Sequence, residues 1–177
     1  MDEKIQEAIA LREAGRAEEA RVLLLDLLAA DSVETADAVS GSGSSSTGSN
    51  AGLLYQLAWT HDVLGLEREA VPYYEQSLAL GLPPEQRAGA LLGLGSTYRT
   101  LGDYQRAKSV LQQGADEYPE RAEFQAFLAM TLYNLGEHSG GMGILLKLLA
   151  ETSGNPGIQE YRKAISFYAD KLDQVWP

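Results

Sequence analysis

Four stretches of this chain repeat one pattern, a glycine followed five residues later by a small residue. They are Gly15-Arg-Ala-Glu-Glu-Ala20, Gly65-Leu-Glu-Arg-Glu-Ala70, Gly102-Asp-Tyr-Gln-Arg-Ala107 and Gly136-Glu-His-Ser-Gly-Gly141. The glycines are spaced 50, 37 and 34 residues apart. A fixed period of this size constrains the fold more than composition does, because each repeat must be one supersecondary unit that buries its apolar face against the next. The last interval is one clean repeat, the middle one adds three residues and the first adds sixteen.

Helical periodicity flanks each glycine. In the third copy Leu91, Leu94, Gly95 and Tyr98 fall at i, i+3, i+4 and i+7, and Ala107, Leu111, Gly114 and Ala115 follow the turn, with Pro119 beyond. These spacings match W-x2-L-G-x2-Y, then A-x3-F, then P, with Leu91 in the place of the Trp and Leu111 in that of the Phe. The segment resembles a tetratricopeptide repeat (TPR). The second copy has Leu54, Leu57, Ala58, His61, Ala70 and Tyr74, with its proline displaced to Pro83-Pro84. The fourth has Leu128, Ala129, Leu132 and Leu145, with Gly141 for the alanine and Ser153 for the proline. The first keeps Ala8, Leu11, Ala20 and Leu24 but departs at Lys4, Glu7 and Ser32, as a terminal copy with a solvated face can.

The expected architecture is therefore all-α: a right-handed α-solenoid of helix-turn-helix TPR units, about four repeats plus a C-terminal capping helix, similar to small bacterial proteins of this family. One domain over 1–177 holds repeats at about 1–31, 51–84, 88–121 and 122–155. Helices are expected near 3–14, 17–30, 52–64, 67–80, 85–101, 104–117, 121–135 and 138–151, with a ninth from Gly157 to Gln174. Ala8, Ala58, Gly95 and Ala129 on first helices, and Ala20, Ala70 and Ala107 on second helices, mark where paired helices approach most closely. A larger side chain there costs about 1–3 kcal/mol through overpacking.

The extra residues lie within 32–50, expected as a flexible insertion. Ser40 to Asn50 reads SGSGSSSTGSN, without a charge or an apolar side chain. Nothing in it can bury surface to offset ordering, so it is expected as coil, and it resembles a laboratory linker more than a natural loop. A second irregularity, Ser139-Gly140-Gly141-Met142-Gly143, opens the eighth helix, where each interior glycine costs about 1 kcal/mol relative to alanine. A frayed first turn is expected there.

Composition narrows the function. Fourteen Lys and Arg against 25 Asp and Glu give a charge of -11, the wrong sign for nucleic acid or an anionic membrane. There is no cysteine, hence no disulfide, thiolate nucleophile or Cys-based metal site. No secretory pattern begins the sequence and no apolar run approaches the roughly 20 residues of a membrane span, so a soluble cytoplasmic protein is expected. His61 and His138 lie in different repeats, outside any HExxH, and no acidic cluster has calcium-loop spacing. His61, at a Tyr position of the repeat, reads as a packed, hydrogen-bonded side chain. Gly89, Gly93 and Gly95 lie in a helix with no preceding strand and no GxxxxGK[ST], and read as close-packing positions rather than a phosphate loop. Neither an enzyme, a cofactor nor a metal site is expected.

What the resemblance implies is recognition. In the family, first helices line a concave groove, which carries Tyr55, Gln56, Trp59 and Asp62 of the second copy into it. The third copy supplies Leu92, Ser96, Arg99 and Thr100, and the fourth Phe127, Met130, Tyr133 and Asn134. Aromatic residues, Arg and Met dominate interface hot spots. The two-carboxylate clamp by which some TPR domains hold chaperone tails is missing, since its places hold Ile5, Ile9, Tyr55, Trp59, Leu92 and Ser96. The expected ligand is a partly apolar peptide or helix, basic to suit the charge. The alternative is a scaffold without a dedicated ligand. A monomer is expected, with a domain-swapped dimer permitted by the long hinge.

Overall fold

The computed structural model describes residues 2–37 and 47–177, without the side chains of 32–37 and 47–49. Among the described residues there are nine helices and no strand: α1 (Asp2–Glu13), α2 (Ala17–Asp37), α3 (Thr47–Val63), α4 (Glu67–Leu80), α5 (Pro84–Thr100), α6 (Tyr104–Glu117), α7 (Ala122–Asn134), α8 (His138–Thr152) and α9 (Pro156–Ala169). Packing divides them into two compact units, Met1–Leu101 and Gly102–Pro177, within the stretch that the repeats suggest as one domain.

The repeated glycines make the turns. Gly15, Gly65, Gly102 and Gly136 have φ of 77°, 71°, 83° and 80°, the left-handed region that a Cβ disfavours. At three of them the next amide reaches back over the turn: Arg16 N donates to Leu11 O, Leu66 N to His61 O and Glu137 N to Leu132 O, each at 2.9 Å. This is the Schellman closure, which satisfies carbonyls that a helix end would otherwise leave open.

In the first unit α1 packs on α2 and α3, and α3 on α2, α4 and α5. Ile5, Ala8, Ala20, Leu24, Leu27, Leu53 and Leu57 form one buried cluster. Ala8, Ala20, Ala58 and Ala70 are wholly buried, as close-approach positions should be. Gly89 and Gly93 behave as expected too: a Cβ on Gly89 would overlap the Tyr55 ring, and one on Gly93 the Tyr74 ring. In the second unit α6, α7, α8 and α9 pack in succession around Leu111, Phe124, Leu128 and Leu132. The Phe124 ring occupies the notch at Gly114 and stacks on Tyr118 with centroids 6.3 Å apart.

Three boundaries correct the sequence reading. Helix α2 runs to Asp37 rather than ending near 30, because Asp31–Asp37 contains no glycine or proline to stop it. Helix α3 starts at Thr47, inside the stretch expected as coil; Ala51 is wholly buried, and Asn50 donates to Asp31 Oδ2 at 3.0 Å. Residues 38–46, which hold the rest of the expected flexible insertion, lie outside the described residues. Helix α9 ends at Ala169, not Gln174, and the following segment folds Trp176 back onto Phe167 and Tyr168, centroids 5.9 and 6.4 Å away.

The glycines of α8 are explained by packing rather than fraying. A Cβ on Gly141 would sit 2.8 Å from the Ala129 carbonyl oxygen of α7, and one on Gly143 would sit 2.6 Å from that of Ala169 in α9. Both residues are buried. Gly140 meets only Leu132 Cδ1, at 3.8 Å.

Candidate functional site

The candidate surface in the first unit is formed by α3 and α5, with α1 beside α3. Trp59 is its main exposed aromatic, at 44% accessibility. Leu92, Ser96 and Arg99 on α5 are half-buried and Thr100 is exposed. Helical spacing puts Leu92, Ser96 and Arg99 on one face.

Tyr55 and Gln56, expected in the groove, are instead buried, at 7% and 6% accessibility. Tyr55 turns into α5 at Gly89, with Trp59 and Tyr74 ring centroids 5.9 and 6.4 Å away. Gln56 contributes its backbone, whose carbonyl accepts from Thr60 Oγ1 at 2.8 Å and from Arg12 Nη1 at 3.3 Å.

Arg12 is the residue that sequence reasoning missed. Its side chain from α1 is buried, its Nη1 also donates to Thr60 Oγ1 at 3.2 Å, and its guanidinium carbon lies 4.1 Å from the Trp59 ring centroid. No ion pair joins it to a carboxylate among the described residues. Burial lowers its pKa, but an arginine stays charged at neutral pH. The cation is held by two oxygens and a π face, so Trp59 is fixed in place by what lies beneath it. A signal was present: Ile5, Ala8 and Arg12 share the i, i+3, i+7 stripe of α1, and Arg12 is the one charge on it.

Asp62 does not stand open either. It is half-buried and ties three helices: Tyr74 Oη of α4 donates to Oδ2 at 2.8 Å, and Thr97 Oγ1 of α5 lies 2.9 Å from both carboxylate oxygens. Burial lifts the Asp62 carboxyl above the ordinary aspartate range, while the hydrogen bonds from Tyr74 and Thr97 pull it down. Burial, then the neighbouring carboxylate, pushes the Tyr74 phenol upward, so it remains a donor. His61 is buried, with Nδ1 2.8 Å from the Leu57 carbonyl oxygen and its ring 5.2 Å from that of Tyr73. A carbonyl only accepts, so Nδ1 carries the hydrogen.

A cleft of about 300 Å3 lies on the same set of first helices, between Ile5 and Ile9 of α1, Gly52 and Gln56 of α3, and Gln86 of α5. In the second unit the expected positions all fall on α7. Tyr133 is exposed at 67% and Met130 at 38%, Asn134 is exposed, and Phe127 is half-buried. The Tyr133 ring lies 5.0 Å from that of His138. Among the described residues no group of three His, Cys, Asp or Glu could hold a metal ion, and no helix is long and apolar enough to cross a membrane.

Comparison with known proteins agrees with the repeat geometry. The family model described as tetratrico peptide repeat matches residues 2–44 and 51–172. A crystal structure of nearly identical TPR-like repeats from a kinesin light chain candidate of Podosopora anserina is similar at a TM-score of 0.68. It has 20% identity, over 97% of this chain and 86% of that one. A single-residue variant of that protein gives 0.67 at 20% identity, over 97% and 85%. None of the curated protein sequences matches. Eight helices joined in four pairs by left-handed glycines, with α9 after them, among the described residues, and a family match over nearly the whole chain, lead to one conclusion: this chain belongs to the tetratricopeptide repeat family.

Proposed function

We propose that this protein is a non-catalytic recognition module in which the exposed face of the first helices, in each unit taken by itself, receives a peptide or helix of a protein partner. TPR repeats generally mediate protein–protein interaction. The observation that carries the reading is Trp59, half of whose surface is open while its ring rests on a buried guanidinium. An aromatic immobilised before binding loses little side-chain entropy when a ligand covers it, which is what a hot-spot anchor requires. The residues next to it on α5, Leu92, Ser96, Arg99 and Thr100, supply an apolar contact and polar ones. On α7, Met130 and Tyr133 offer apolar surface of the same kind.

The ligand that fits is partly apolar and basic. Fifteen Asp and Glu against seven Lys and Arg leave the first unit at -8, and ten against seven leave the second at -3. Such a surface steers cationic segments towards it and repels acidic ones.

Panning a random peptide display library against the parent, Trp59→Ala and Tyr133→Ala tests this, with helical circular dichroism checking each fold. Enrichment of apolar-basic peptides by the parent, weakened by either substitution, is expected. Recovery of no peptide above background, or equal recovery by all three proteins, favours a scaffold with no dedicated ligand.

A further inference from the structure

Two apolar surfaces outside the first-helix face stay open, one in each unit. Between α1 and α2 a groove of about 440 Å3 is floored by Leu11, Val22 and Leu23 and rimmed by Glu7, Glu18, Glu19 and Asp26. Glu18 pairs with Arg21 at 2.9 Å and Glu19 with Arg16 at 2.6 Å, whereas no ion pair engages Glu7 or Asp26 among the described residues. This is an apolar trough with two uncompensated carboxylates.

Helix α9 has the opposite character. Ala169 is its one buried residue, while Tyr161, Phe167 and Tyr168 are 62%, 49% and 50% exposed. The acids after it are engaged on the α8 side: Asp170 with Lys147 at 2.6 Å, and Asp173 as acceptor from Ser139 at 2.6 Å. That leaves Lys163 and Lys171 against the single acid Glu160 beside Phe167, while Arg162, also exposed, shares the i, i+7 side of Ala169. The Lys171 ammonium lies 3.9 Å from the Phe167 ring centroid, so positive charge sits directly on the aromatic patch.

We propose that the α9 face of one copy docks into the α1–α2 groove of a second copy. The aromatic side chains cover the apolar floor, and Lys163 and Lys171 meet Glu7 and Asp26. Burying both surfaces removes apolar area from water, the main source of association energy. Charge complementarity fixes which surface meets which, and a chain of net charge -11 needs that help to approach its own kind. The two surfaces differ, so the contact is heterologous. Every copy carries one of each surface, so the contact can be repeated as copies are added. At physiological salt charges are screened over about 8 Å, so added salt weakens the contact.

Complementary charge reversal tests the pairing. Glu7→Lys/Asp26→Lys makes both surfaces basic, and Lys163→Glu/Lys171→Glu makes both acidic. Sedimentation velocity from micromolar to millimolar protein would read mass for the parent, each variant and their mixture, with circular dichroism confirming each fold. The parent is expected to gain mass with concentration, each variant to stay monomeric, and the mixture to regain association, since basic then meets acidic at every contact. A parent that stays monomeric throughout overturns the proposal, as does association by either variant alone or a mixture that stays monomeric.

Discussion

The guanidinium of Arg12 lies 4.1 Å beneath the centre of the Trp59 ring, so a buried cation and a half-exposed aromatic share one contact across α1 and α3. Cation–π contacts contribute about 0.5–2 kcal/mol, the larger figure where the cation is desolvated, as here. A double-mutant cycle of Arg12→Met and Trp59→Ala in urea unfolding is expected to show a coupling in that range. Additivity of the two substitutions would mean that Trp59 owes its position to something else.

Asp62 links stability to pH with an unusual sign. Its native carboxyl pKa is raised by burial, so the folded state binds the proton more readily than the unfolded chain does. The stabilisation from this group is complete below the ordinary aspartate value and is lost as pH rises through the raised one. Relative to Asp62→Asn, the parent should therefore be most advantaged in acid, with the advantage shrinking towards neutral pH. Urea unfolding of both proteins across that range checks it, and an advantage that grows with pH would contradict the assignment. Tyr74→Phe, which removes one donor to Asp62, should cost about 1–3 kcal/mol.

The α8 glycines make a graded series. Gly140→Ala makes only an ordinary contact with Leu132 and should stabilise by about 0.4–1 kcal/mol, through a better helix former and a less flexible unfolded chain. Gly141→Ala and Gly143→Ala push a methyl against backbone oxygens that cannot rotate away, and each should cost about 1–3 kcal/mol. Thermal unfolding of the three proteins ranks them; equal effects at all three positions would favour a frayed turn.

The repeat was legible because its punctuation is local. A glycine at each turn and a small residue five positions on are enough to place the starts of α2, α4, α6 and α8, and the family follows from the same residues. Helix ends without punctuation were not legible: Asp31–Asp37 and Asp170–Gln174 contain neither a stop nor a cap that spacing reveals. The site was legible only in part. Trp59, Met130, Tyr133 and Thr100 are exposed as first-helix register suggests. Tyr55 and Asp62 share that register but face inward, because Gly89 and Thr97, 34 and 35 residues away, open a notch and offer a donor. Such pairings arise only when α3 and α5 meet in space. Arg12 shows the converse, a charge on an apolar stripe whose meaning depends on Trp59.

The central claim, that the first helices of each unit receive a partner, is tested most directly by site-resolved photo-cross-linking. A photoreactive phenylalanine analogue would be placed singly at Trp59, Met130 or Tyr133, and at the control sites Gln76 on α4 and Gln112 on α6, both exposed on second helices. Each protein would be irradiated with the peptides enriched by panning, and adducts located by mass spectrometry. Adducts from the three first-helix positions and none from Gln76 or Gln112 are the predicted result. Equal adducts from the controls, or none at Trp59, Met130 and Tyr133, would contradict the account.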